Sequence, residues 1–204
     1  MGKEKNYVNK GSVIVLKEYR EIIENNKKAI RIKHLQGYKA IGRGADGSVF
    51  QLTSERCIKI FEKVQTKALE LKALQVGQSS PVIPRLYEDG TNYIIMEYVK
   101  GLSLPQYLKK EKQLPEPIVE KILAMLDELK KVGFERCDTE VRHILFNEDM
   151  EIRVIDLKRA FGSVRSNPTK FLEGIEKKGY LEEFMQHVKN LSPTLYEEWR
   201  NIID

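Results

Sequence analysis

Gly42, Gly44 and Gly47 stand in IGRGADGSV at the spacing GxGxxGxV. Glycine lets backbone N–H groups approach an anion with no Cβ in the way, so such a run can cradle phosphate. The flanks decide which kind of cradle it is. YKAIG before it and SVFQL after it both read as strands, so the glycines belong to a hairpin rather than to the strand-to-helix turn of dinucleotide binding. Lys59 follows in CIKIF, with Ile58 and Ile60 directed to the other face. A strand lysine is either a solvated edge residue or, here, a cation with a phosphate to meet. Glu70, in the next helical run, can orient Lys59 as an ion pair or serve as an exposed partner of Lys67 or Lys72. Asp138 lies in a loop after an amphipathic helix, and Asp156 ends the strand-like EIRVI. Singly these are a turn cap and a strand end. In this order, with the glycines, Lys59 and Glu70, they form a set suited to nucleotide and metal chemistry.

The elements that must position these residues follow from periodicity. YKAIG, SVFQL and CIKIF alternate as three antiparallel strands, and the run FEKVQTKALELKALQVG places Val64, Ala68, Leu71, Leu74 and Gln75 at helical spacing, with Gly77 as its stop. SSPVIPRLYEDG reads as a Pro-marked link, TNYIIMEYV as the strand that completes the sheet, and VKGLSL as a hinge. Beyond it come a short helix in SLPQYLKKEK and a long one in PEPIVEKILAMLDELKKVG, amphipathic through Ile118, Ile122, Met125, Leu126 and Leu129. HILF and EIRVI read as short strands around the turn NEDM. Asn167 with Pro168, and Ser192 with Pro193, announce tail helices as a cap residue followed by Pro at the first helical position. Before the sheet, Val13, Val15, Leu16, Tyr19, Ile22 and Ile23 keep a broken helical period, and Ile30 and Ile32 suggest an extended piece.

Composition narrows the class. At 204 residues, 41% hydrophobic and 32% charged, the chain can bury one sizeable core or two small ones. No apolar stretch approaches the roughly 18 residues of a membrane span, and MGKEKNYVNKG lacks the apolar centre of a secretory signal, so a cytoplasmic protein is expected. Cys57 and Cys137 form no CxxC pair and read as small buried thiols. The net charge of +5 comes mostly from Lys3, Lys5, Lys10, Lys17, Arg20, Lys27, Lys28, Arg31, Lys33 and Lys39. A solvated helix face explains that run more economically than a nucleic-acid partner, and none is expected. His34, His143 and His187 lack zinc-ligand spacing, and Tyr196 and Trp199, at helical spacing, read as core anchors.

Residues 38–160 resemble the protein-kinase superfamily, particularly its compact atypical members, the RIO-type kinases and the small kinase of the KEOPS complex. IGRGADGSV is similar to the Gly-rich loop, CIKIF to the strand bearing the nucleotide lysine, and IIMEYVKG to the last N-lobe strand and hinge. The resemblance implies an α+β, two-lobed fold with a small antiparallel-sheet N-lobe and a reduced, mainly helical C-lobe. Residues 1–36 would then be a basic N-terminal extension, 37–98 the N-lobe and 99–204 the C-lobe. It also implies ATP held by Ile41, Gly42, Gly44, Gly47, Val49 and Lys59, with Met96 behind the adenine and the backbone of Glu97 to Val99 on the base edge. Lys59 and Glu70 would pair, and Asp138, in RCDTEVRH, would accept the proton of a substrate hydroxyl. Asp156, in VIDLKR, and His143 would hold Mg2+ or Mn2+, the imidazole nitrogen favouring manganese. The implied partners are ATP and a protein substrate.

Some positions depart from that pattern: Arg136 replaces the usual histidine, His143 the metal-binding asparagine, and Leu157 with Lys158 the residues after the metal-binding aspartate. No APE-like segment follows. Three readings stay open: an active atypical serine/threonine-type kinase, a catalytically weak or inactive nucleotide-binding scaffold, and a small-molecule phosphotransferase.

Overall fold

The structure, a computed structural model, describes residues 19–136, 138–162 and 167–203. The basic residues before position 19, together with Val13, Val15, Leu16 and Cys137, lie outside them. The fold class is α+β as expected, and the chain divides into two compact units. One holds the residues through Lys67 together with Leu86–Tyr98; the other holds Ala68–Arg85 and the chain from Val99 onward.

The first unit is a five-stranded antiparallel sheet of β1 (Lys39–Gly44), β2 (Gly47–Gln51), β3 (Arg56–Phe61), β4 (Leu86–Asp89) and β5 (Tyr93–Glu97), in the order β1-β2-β3-β5-β4. Its core lies on the face where alternation puts Phe50, Leu52, Ile58, Ile60, Tyr93 and Ile95. Tyr19, Ile30 and Leu35 close that face, each 1% exposed. Tyr19 belongs to the first helix, α1, described over residues 19–25. The extended piece expected around Ile30 and Ile32 is instead irregular chain entering a 3-10 turn, Ile32–Leu35. Asn92 fixes this segment from the β4–β5 turn: its Oδ1 accepts the Ile30 N–H at 2.9 Å, and its Nδ2 donates to the Ile30 carbonyl at 2.8 Å. Tyr93 donates its hydroxyl to Glu88 at 3.1 Å, and burial followed by the Glu88 charge pushes its pKa up to about 12.

β4 falls inside the stretch that reads as a link. Four residues, LYED, with no clean alternation at a sheet edge carry too little pattern to announce a strand. Helix α2 (Val64–Gly77) ends at Gly77 as predicted, but its apolar spacing misleads. Val64 and Leu69 are more than half exposed, whereas Lys67, Glu70, Ala73 and Leu74 are buried. Lys67 tolerates burial because Asp89 takes its ammonium at 2.9 Å.

The second unit is mainly helical. It contains α3 (Leu104–Glu111), α4 (Glu116–Lys131), α5 (Thr169–Glu176), α6 (Leu181–Leu191) and α7 (Pro193–Ile203). A small sheet pairs β6 (Gly101–Ser103) with β7 (Ile144–Asn147), and β7 with β8 (Ile152–Val154). The hinge segment VKGLSL therefore contributes a strand, one too short to show a period. α4 buries Ile118, Ile122, Met125, Leu126 and Leu129, the stripe read from sequence. Phe184 packs edge-on to Phe171 and stacks on Trp199 at 6.1 Å, so Trp199 anchors the core while Tyr196 stays half-exposed. α7 begins at Pro193 as expected. α5 begins one residue later than expected, with Pro168 rather than Asn167 at the cap position.

Candidate active site

In the sheet unit, Ala45 and Asp46 turn β1 into β2, with Gly44 opposite Gly47. Gly42 opposes Val49, Val49 opposes Lys59, and Lys59 opposes Ile94. Paired residues share a face, so these four form one row across four strands. Cys57 and Met96, paired with each other, add the adjacent row on the same face, away from the Ile58, Ile60 and Ile95 core. Lys59 is only 8% exposed and its ammonium stands 4.9 Å from the Phe61 ring centroid, so it is not a solvated edge lysine. Ile41 sits at a register shift between Ala40 and Gly42 and falls out of the row. Glu97 ends β5, its carbonyl accepting the Cys57 S–H at 3.5 Å.

Val99 and Glu70 belong to the other unit. Glu70 is 2% exposed, which removes the reading of it as a solvated helix partner. Lys72, two residues on and so on a different side of the helix, lies over the Phe161 ring at 4.4 Å.

The remaining residues gather around a cavity of about 150 Å³ in the helical unit, whose lining includes Arg136, Asp138, His143, Asp156, Lys158 and Lys170. The Asp138 side chain is fully buried. Its Oδ1 accepts the backbone N–H of Lys170 at 2.7 Å, in the first turn of α5, and its Oδ2 lies 3.7 Å from Arg136 Nη2. Asp138 therefore anchors a helix as well as facing the cavity, and Arg136, visible in sequence only as a departure, is its counterion. Two residues on, Glu140 takes Arg142 Nε at 2.8 Å. Burial pushes the Glu140 carboxyl up, but Arg142, His143 and Lys170 together hold it below the ordinary value.

Asp156 follows β8 with φ of 61°, a left-handed conformation that Asp tolerates better than most residues. His143 Nε2 is 3.5 Å from its Oδ2, and Lys158 Nζ is 3.3 Å from each of its two oxygens. Among the described residues no three His, Cys, Asp or Glu side chains converge on a metal position. One carboxylate with one imidazole beside it would suit a cation that takes its other ligands from phosphate and water, the nitrogen fitting Mn2+ better than Mg2+. Lys158 is the partner that sequence reading missed in this role, although a lysine two residues after the carboxylate was visible.

Burial, opposed by the Asp156 charge, lowers the His143 pKa below its ordinary value of 6.5. The unfolded chain then takes up a proton that the folded chain refuses, so stability is complete above about pH 6.5 and falls as pH drops through it. His143→Asn is expected to flatten that decline. Urea midpoints compared at about pH 7.5 and 5.5 check it, and equal slopes in both proteins would refute it.

No protein-family model matches the chain. Over 124 residues it is 29% identical to a Bacillus subtilis (strain 168) protein named "Putative serine/threonine-protein kinase YrzF", the match covering 58% of each chain. The chain thus spans less than two thirds of that relative's length. A likeness to a protein bearing a kinase name, joined to an α+β fold with an antiparallel N-terminal sheet and a mainly helical remainder, supports a kinase-like chain.

Proposed function

We propose that this protein is a compact, atypical kinase that transfers the γ-phosphoryl group of ATP to a protein hydroxyl. The observation that carries the reading is the row Gly42–Val49–Lys59, which sets a buried ammonium on the same sheet face as the glycine hairpin. Glycine backbone is suited to approach phosphate, and an ammonium on the same sheet face can neutralise it. On this reading Gly42, Gly44, Gly47 and Val49 cover the phosphates, Lys59 neutralises them with Glu70 orienting it, and Met96 with Glu97 to Val99 receives the base. Asp138 positions the acceptor hydroxyl and takes its proton, while Asp156 and His143 hold the divalent cation. Bound there, the cation would neutralise charge on the β- and γ-phosphates.

A second reading, a nucleotide-binding scaffold with little or no transfer, is favoured by Asp138 being tied to Lys170 and Asp156 to Lys158. Pure protein incubated with γ-labelled ATP, Mg2+ or Mn2+, and generic protein acceptors separates the two. Transfer to protein is expected, and binding without transfer selects the scaffold. Lys59→Ala and Asp156→Ala should each lower turnover a few hundredfold, about 3–4 kcal/mol of transition-state stabilisation. Wild-type turnover in both variants would remove the assignment.

A further inference from the structure

The Lys158 ammonium lies 3.3 Å from both oxygens of Asp156, and the two side chains are about equally exposed, 21% and 20%. His143, 17% exposed, flanks the same carboxylate. A cation that uses Asp156 therefore meets a carboxylate already neutralised by a tethered monocation. We propose that Lys158 is an internal counterion that competes with the divalent metal for Asp156 and makes metal binding conditional on phosphate. The inference rests on the reading of Asp156 as the metal-binding carboxylate.

Asp156 and Lys158 together are neutral. A bare dication entering there leaves the cluster at a formal +2, with the ammonium a few ångströms from the metal and repelling it. A dication arriving with nucleotide phosphates brings its own negative charge, and the displaced ammonium then has an anion to face. Lys158 thus penalises the metal alone and tolerates the metal–nucleotide pair, a coupling of two ligands through one side chain. Lysine suits this role because its flexible stem can release the carboxylate, whereas the planar guanidinium of arginine would hold it by two parallel bonds.

The test is Mn2+ binding to nucleotide-free protein, followed by the loss of the free-ion paramagnetic resonance signal. Lys158→Met keeps most of the stem volume and removes the charge, and it is expected to bind Mn2+ more tightly than wild type by on the order of tenfold. Lys158→Arg should bind no more tightly than wild type. Asp156→Asn, alone or combined with Lys158→Met, should abolish the site. Equal or weaker Mn2+ binding in Lys158→Met, with binding still lost in Asp156→Asn, overturns the counterion role and leaves Asp156 as the metal carboxylate. Binding that ignores Asp156→Asn, or none in any variant with or without ATP, overturns the metal assignment itself and the counterion role with it. Should Lys158→Met melt early, the Lys158→Arg comparison still decides, since markedly tighter binding there contradicts competition.

Discussion

Replacing Asp138 by Ala is expected to lower the stability of the helical unit by about 3–5 kcal/mol, a large share of what a domain of this size possesses. The carboxylate is fully buried, so its loss strips Arg136, itself only 10% exposed in its side chain, of a counterion. It also removes the acceptor from the Lys170 N–H at the start of α5. A buried charge left without its partner is costlier than the pair was favourable, because the desolvation remains and the attraction does not. Asp138→Asn keeps an oxygen for the Lys170 N–H and should cost about 1–2 kcal/mol. Urea unfolding followed through Trp199, the chain's single tryptophan, reports on this unit. If Asp138→Ala unfolds at the wild-type midpoint, the anchoring role is wrong. The Asn variant then separates anchoring from chemistry: a folded protein that binds ATP but no longer transfers phosphoryl assigns Asp138 the proton-accepting role as well.

Gly47→Ala is expected to disrupt the sheet unit at a cost of about 3 kcal/mol or more, while Gly44→Ala leaves stability within about 0.5 kcal/mol of wild type. Gly47 has φ of 149°, outside what side-chain-bearing residues ordinarily adopt, and a Cβ there would lie 1.9 Å from the Ile60 carbonyl oxygen. Both obstacles are backbone, so no side-chain rotation relieves them. A Cβ on Gly44 meets nothing within 4 Å. Glycines that share one spacing thus serve different ends. The pairing of β2 with β3 requires Gly47, whereas a Cβ at Gly44 would point into open space. Circular dichroism melts should show the contrast, and ATP titration of Gly44→Ala should show weakened binding in an intact protein. Equal melts for the two variants would contradict this division.

What could be read from sequence was whatever repeats locally. The alternation of SVFQL and CIKIF marked β2 and β3, and the stripe from Ile118 to Leu129 marked α4, because burial on one face imposes a period on the residues themselves. β4 and β6 escaped because LYED and GLS, unlike the equally short HILF and EIRVI, lack the apolar, β-branched run that marks so short a strand. α2 misled for the opposite reason: its apolar residues are periodic, but the face it buries includes Lys67 and Glu70. Charge also masked burial at the N-terminal side, where Tyr19, Ile30 and Leu35 close the sheet core amid a run of lysines and arginines. The candidate residues were visible one by one, but their partners were not. Lys170 reaches Asp138 by a backbone N–H across 32 positions, a contact independent of the side chain at 170.

The strand order has a consequence for synthesis on the ribosome. β5 lies between β3 and β4, yet residues 62–92 are translated after β3 and before it. At about 5–20 residues per second β3 therefore stands outside the ribosome for some two to six seconds before its neighbour emerges. During that interval the edge of β3 offers unpaired N–H and C=O groups beside Ile58 and Ile60, the pattern that invites pairing with another chain. Closing the long loop adds only a slowly growing entropic cost, so the delay is set by translation more than by the search. Slowing elongation while residues 62–92 emerge from the ribosome should accordingly raise the fraction of chains that aggregate, and faster emergence of the same stretch should lower it.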